Sequence, residues 1–121
     1  MTQYKVDIDP EVQEILDNMT AQDNQKVGVA IRFLEEYGPH VEMKTRGQYA
    51  HSLKNSRHAG LKELIVRAGK SVWRFAYYYI DKDQTAYILC GGDKRGKSET
   101  LFYKRLIDKA DRKIDAIKRG E

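Results

Sequence analysis

The sequence predicts an α+β domain: an N-terminal strand, a helical hairpin, a three-stranded antiparallel meander and a C-terminal helix. Three observations predict it. "YKVDI" (4–8) alternates apolar and polar residues, the period of a half-buried strand. Two stretches within 10–37, and a third from 98 to about 119, repeat apolar residues every three or four positions. Between them, "LKELIVRA", "VWRFAYYYI" and "TAYILCGG" follow one another across gaps short enough for hairpins. At 121 residues the chain is expected to form one domain, 1–121, with its helices on one face of the sheet.

Each element has a local cause. After the first strand, Asp9 is placed to cap a helix and Pro10 to occupy its first position, with Val12, Ile15, Leu16 and Met19 at helical spacing. Val27, Ala30, Ile31, Leu34 and Tyr37 form a second stripe, which Gly38–Pro39 terminates. "TAQDN" leaves open one bent helix or two, with Thr20 and Asp23 able to cap a new start. Residues 40–60 show no clean period and read as an irregular, exposed connection. In the last helix Leu101, Phe102, Leu106, Ala110, Ile114 and Ile117 recur at helical spacing, with Ser98 or Thr100 as its cap.

The net charge of +4 is unevenly spread. Residues 1–39 carry eight acids and three bases, so they sum to −5 and the rest of the chain to +9. A basic body suggests a polyanionic partner, most simply a nucleic acid, although a solvated charged surface would look the same. One cysteine, Cys90, excludes an intrachain disulfide. No apolar run approaches the roughly 18 residues of a membrane span, and "MTQYKVDIDP" lacks a signal peptide's apolar stretch, so a cytoplasmic protein is expected. His40, His51 and His58 have no carboxylate or cysteine partner at metal-ligand spacing, and neither metal nor cofactor is expected.

Strand alternation assigns the aromatic run "SVWRFAYYY" to two faces. A turn at Gly69–Lys70 sets Leu64 opposite Phe75 and Val66 opposite Trp73; a turn at Lys82–Asp83 sets Phe75 opposite Cys90 and Tyr77 opposite Ile88. Those residues make a core face, on which Cys90 reads as a small buried hydrophobe. The other face collects Glu63, Ile65, Arg67, Val72, Arg74, Ala76, Tyr78, Tyr87 and Leu89, and is expected to be open. Arginines there can grip phosphates and tyrosines can stack on bases. The plainer alternative is that Arg74 pairs with Glu63 and the tyrosines merely cover surface.

A second basic cluster follows the last strand. "GGDKRGKSETLFYKRL" (91–106) holds Lys94, Arg95 and Lys97, then Tyr103, Lys104 and Arg105. A glycine-rich turn entering a helix is a ready anion site. "GGDKRGKS" also matches the spacing of a nucleotide-triphosphate loop, but that motif needs a βαβ unit, which a meander does not supply.

At "GLKELIVRAGKSVWRFAYYYID" and "ILCGGDKRGKSETLFYKRL" the chain resembles the RelE/HigB superfamily of toxins, in particular its phage-derived HigB-like branch. The resemblance rests on "LKEL", "WRFAYYY" before an acidic turn, the "GDKxG" loop and "FYK", and covers roughly residues 60–110. It implies a RelE-like fold and a ribosome-dependent mRNA endonuclease that uses the RNA 2′-OH, without metal, to attack the adjacent phosphate. It also implies a cognate antitoxin, of HigA-like helix-turn-helix type. By position, Arg74 resembles the strand arginine that holds the phosphate, Lys94 or Arg95 the basic residue after the last strand, and Tyr103 the late tyrosine that orients substrate. Lys62, Arg67, Tyr78, Tyr87, Lys97 and Lys104 are the further RNA-binding candidates. One departure is that Ile65 and Val66 stand between "LKEL" and Arg67, where members of this branch place an arginine directly. The competing functional classes are a non-catalytic RNA- or ribosome-binding module with the same basic face, and a domain whose basic body accepts an acidic protein.

Overall fold

The computed structural model describes residues 3–120. In chain order the elements are β1 (Lys5–Ile8), α1 (Pro10–Asn18), α2 (Ala21–Tyr37), a 3₁₀ turn (Gly38–His40), α3 (Val41–Lys44), β2 (Ala50–Ser52), β3 (Lys62–Ala68), β4 (Ser71–Ile80), β5 (Thr85–Asp93) and α4 (Glu99–Lys118). The strands form one sheet in the order β1-β5-β4-β3-β2. The meander is its antiparallel centre, while β1 lies parallel to β5 at one edge and β2 antiparallel to β3 at the other.

The helix boundaries follow local chemistry. Asp9 accepts from the Glu11 N–H and Pro10 opens α1, while the Thr20 hydroxyl accepts from the Asp23 N–H and starts a separate α2. The hairpin is therefore two helices. Gly38 ends α2 at φ +54, and a Cβ there would sit 2.7 Å from the Tyr4 ring, so backbone and space both demand glycine. Ser98 caps α4 through the Leu101 N–H.

Both sheet faces are covered, against the expectation of helices on one face only. Val12, Leu16, Val27, Ala30 and Leu34 from α1 and α2 pack on Leu64, Val66, Phe75, Tyr77, Ala86 and Ile88. The Trp73 side chain lies on that face too, its indole N–H donating to Asp23 Oδ2 at 3.0 Å. On the opposite face Leu106, Ile107, Ala110 and Ile114 of α4 bury Leu61, Ala76, Leu89 and Cys90. The face expected to be open is thus sealed along most of its length, since α4 has an apolar stripe that can be buried only against a sheet. Lys113 helps to seat the helix: its ammonium donates to Asp9 Oδ1 (2.8 Å), Glu11 Oε1 (3.1 Å) and the Leu89 carbonyl (2.9 Å).

The first hairpin has the expected register, with Leu64 opposite Phe75 and Val66 opposite Trp73. The second has it from Tyr77–Ile88 to the turn, and then shifts at Ala76/Tyr77. Leu89 is the extra residue of a bulge, so Cys90 pairs with Ala76 and Gly91 with Phe75. The bulge moves Cys90 to the α4 side, where its thiol donates to the Leu106 carbonyl at 3.4 Å. Burial pushes that thiol up to about 12, which leaves no thiolate for nucleophilic chemistry near neutral pH.

Residues 40–60 are more ordered than their sequence suggests. They supply α3 and the edge strand β2, where His51 stands opposite Glu63. The following loop docks on α4: the Ser56 hydroxyl and the Arg57 N–H donate to Asp111, while Arg57 and His58 pair with Asp115. These bonds join residues more than fifty positions apart, so no local period could reveal them.

Candidate nucleic-acid interface

The sequence-predicted residues divide into two groups. Arg74, Lys94 and Tyr103 converge where α4 begins. Arg74 projects from the middle of β4 with its side chain 11% exposed, and its Nη1 donates to Glu63 Oε1 of β3 at 3.3 Å. Glu63 is 7% exposed by side chain and also faces His51 Nδ1 at 3.9 Å. Two atoms of this pair, Arg74 Nε and Glu63 Oε2, have no hydrogen-bond partner among the described residues. Native interiors rarely leave such groups unpaired; the Tyr77 hydroxyl, on the opposite face, is the third among the described residues.

Lys94 and Tyr103 complete the corner. The Lys94 ammonium lies 5.3 Å from the centroid of the Tyr103 ring and 2.8 Å from Glu99 Oε1. Burial, and then the neighbouring Glu63 carboxylate, raise the Tyr103 phenol above its ordinary value. The hydroxyl therefore keeps its proton and acts as a donor. Glu99 is held below the ordinary carboxylate range, first by the hydrogen bond from Lys94, and Arg74 adds to the effect. Glu99 is 69% exposed by side chain and neutralises the Lys94 ammonium.

Asp93 positions this corner. Its Oδ1 accepts from the N–H groups of Val72 and Arg95, both at 3.0 Å, while the Lys94 N–H donates to the Val72 carbonyl at 2.8 Å. Because of the bulge, Gly92 rather than Gly91 faces Arg74 across the ladder. Gly91 and Gly92 are strand residues bonded to β4, so "GGDKRGKS" does not curl into a phosphate-cradling loop.

The remaining predicted residues lie elsewhere. Lys62 is on the opposite sheet face, paired with Glu42 at 2.9 Å, because it shares the parity of Leu64 and Val66. Arg67 is exposed near the turn and donates to the Gln48 carbonyl at 3.3 Å. Tyr78 is overlaid at the far end of the sheet: the Lys118 ammonium is 5.4 Å from its ring centroid and His58 meets it edge-on. Tyr87 donates to Asp83 Oδ2 at 3.2 Å. Neither tyrosine is an open stacking platform. Arg95, Lys97 and Lys104 are exposed around the start of α4, with Lys97 5.9 Å from the Phe102 ring centroid.

Sequence reading passed over Asp93, Glu99 and His51. An aspartate two residues before a turn N–H is a recognisable signal, and would have revealed Asp93. His51 becomes visible only through its cross-strand pairing.

A model of the family described as phage-derived protein Gp49-like matches residues 14–115. The chain belongs to this Gp49-like family. No curated protein matches it in sequence. Among solved structures, this Gp49-like protein superposes on an arginine-to-alanine double mutant of the Escherichia coli toxin RelE in its free state, with a TM-score of 0.60 at 14% identity over 91% of this chain and 98% of that one. The isolated E. coli RelE toxin gives 0.55 at 16% identity over 98% and 100%. The archaeal RelE–RelB complex from Pyrococcus horikoshii gives 0.57 at 24% identity over 81% and 100%. The Gp49-like chain therefore has the RelE fold, as its sequence motifs implied.

Proposed function

We propose that this Gp49-like protein is the toxin of a toxin–antitoxin pair and acts in the cytoplasm as a ribosome-dependent mRNA endoribonuclease. The observation that carries the reading is the buried Arg74–Glu63 pair with one donor and one acceptor left open, beside the cation of Lys94 and the protonated phenol of Tyr103. The intact E. coli RelBE toxin–antitoxin complex and the archaeal RelE–RelB complex share this fold, which supports an antitoxin partner here. A HigA-like helix-turn-helix protein is the partner type expected of the HigB-like branch.

The chemistry needs a group to take the 2′ proton, charge at the crowded phosphate, and a donor for the leaving 5′ oxygen. The Glu63 carboxylate, which neighbours the Tyr103 hydroxyl, is the acceptor suited to the proton. Arg74 Nε offers an unused donor, so the guanidinium can hold a phosphate oxygen while Nη1 keeps Glu63 in place. In a dry corner such a contact stabilises the transition state by about 3 kcal/mol. Tyr103 and Lys94 are the donors at the leaving oxygen, with Lys94 exchanging Glu99 for phosphate. Arg95, Lys97, Lys104 and Arg67 add cations for the flanking backbone.

The test is induction of wild type and of Arg74→Ala in cells, followed by mapping of mRNA 5′ ends. New ends within translated codons for wild type only support the reading. Ribosome association without cleavage by wild type would replace it with the non-catalytic binding module.

A further inference from the structure

A concavity lies beside the first turns of α4, between that helix and β5. Its floor is apolar, made by Cys90, Phe102 and Leu106, and Leu101 forms its lip. Leu101 is 46% exposed, one of two large hydrophobic side chains so exposed among the described residues. Lys97, Arg105 and Lys109 stand around it. Leu101, Arg105 and Lys109 follow one another at four-residue spacing, so they line one helical stripe beside the inner stripe of Phe102 and Leu106. Lys109 is paired with Glu11 at 2.9 Å, whereas Lys97 and Arg105 have no carboxylate partner among the described residues.

We propose that this groove docks an acidic amphipathic helix of a partner protein. The floor offers no free polar group with which to read a base: the Ser98 hydroxyl is used as the cap of α4, and the Cys90 thiol is bonded to the Leu106 carbonyl. The Phe102 ring is half-buried, with Lys97 5.9 Å from its centroid and Tyr103 in a T-shaped contact. Apolar knobs from a helix fill such a floor, and carboxylates on that helix's flanks meet the unpaired cations. From Leu101 to Lys109 the stripe is about 12 Å long, so two to three turns of partner helix span it. The surface shares Lys97 with the cations assigned above to the flanking RNA backbone, but its floor does not include Arg74, Lys94 or Tyr103, and the inference does not depend on the ribonuclease reading.

The test is a heteronuclear NMR titration with a synthetic helical peptide of about 14 residues bearing leucines at i, i+3, i+4 and i+7 and glutamates beside them. Saturable shifts confined to Gly91, Leu101, Phe102 and Leu106 are expected. Arg105→Glu and Leu101→Ser, both at exposed positions, should each weaken binding at least tenfold with an unchanged circular dichroism spectrum. A peptide with lysines in place of the glutamates should not bind. Absence of these shifts, equal binding of the lysine peptide, or the same shifts produced instead by a short RNA would overturn the proposal. So would self-association that occludes the groove, seen as a concentration-dependent mass by sedimentation.

Discussion

Arg74 Nη1 lies 3.3 Å from Glu63 Oε1 on the neighbouring strand, and each residue keeps one buried polar atom unpaired. Removing one partner leaves an uncompensated buried charge, whereas replacing both with apolar residues does not. Arg74→Ala should therefore lower both stability, by about 3 kcal/mol, and cleavage, by about 10²–10³-fold. A Glu63→Leu/Arg74→Met double variant should melt no lower than wild type and yet be inactive. Thermal denaturation and a cleavage assay on programmed ribosomes separate the two effects; an active double variant would remove the pair from the chemistry.

Glu63→Gln keeps an acceptor for Arg74 but, on the proposed reading, loses the group that takes a proton. The rate should fall about 10²–10⁴-fold while RNA and ribosome binding stay near wild type. Sedimentation with ribosomes measures the binding, and single-turnover cleavage measures the rate.

Glu99 pairs with Lys94, so on the proposed reading it competes with phosphate for that cation. Glu99→Gln should tighten RNA association and steepen its salt dependence, since one more cation becomes available to a phosphate. The slope of log affinity against log salt checks this, and a slope unchanged from wild type would place Lys94 away from RNA.

Asp93 ties β4 to the turn that carries Lys94. Burial pushes its carboxyl up, but the Val72 and Arg95 N–H groups outweigh this, and it sits below the ordinary value of 3.8. A lowered folded-state value means stability that is present above the unfolded value and lost as pH falls through the folded one. Asp93→Ala should cost about 1–2 kcal/mol at neutral pH, and its denaturation midpoint should converge with wild type below pH 3.8.

Gly91 lies opposite Phe75, two residues past the bulged Leu89. A Cβ there would meet Phe75 Cδ1 at 2.3 Å and the Arg74 carbonyl oxygen at 2.7 Å. The backbone atom cannot rotate aside, so Gly91→Ala should destabilise by about 1–3 kcal/mol. Because the strained carbonyl belongs to Arg74, activity should drop as well. A melt unchanged from wild type would show that the bulge relaxes.

By itself the sequence determined what depends on near neighbours. Asp9–Pro10 started the first helix, Thr20 and Ser98 stood among the caps on offer for the others, Gly38 and Gly69 placed a terminator and a turn, and two-residue alternation paired Val66 with Trp73 and separated Arg74 from Phe75. The motifs around Arg74, Lys94 and Tyr103 pointed to the RelE fold. Only the tertiary structure decided which of those side chains meet. One extra residue, Leu89, shifted half of a hairpin and moved Cys90 to the other face, because a bulge has no periodic signature. The apolar stripe of α4 closed the face that strand alternation had left open, so Tyr78 and Tyr87 were covered and Arg74 was buried against Glu63. Alternation assigns a side chain to a face; whether water or a helix lies over that face depends on segments dozens of residues away.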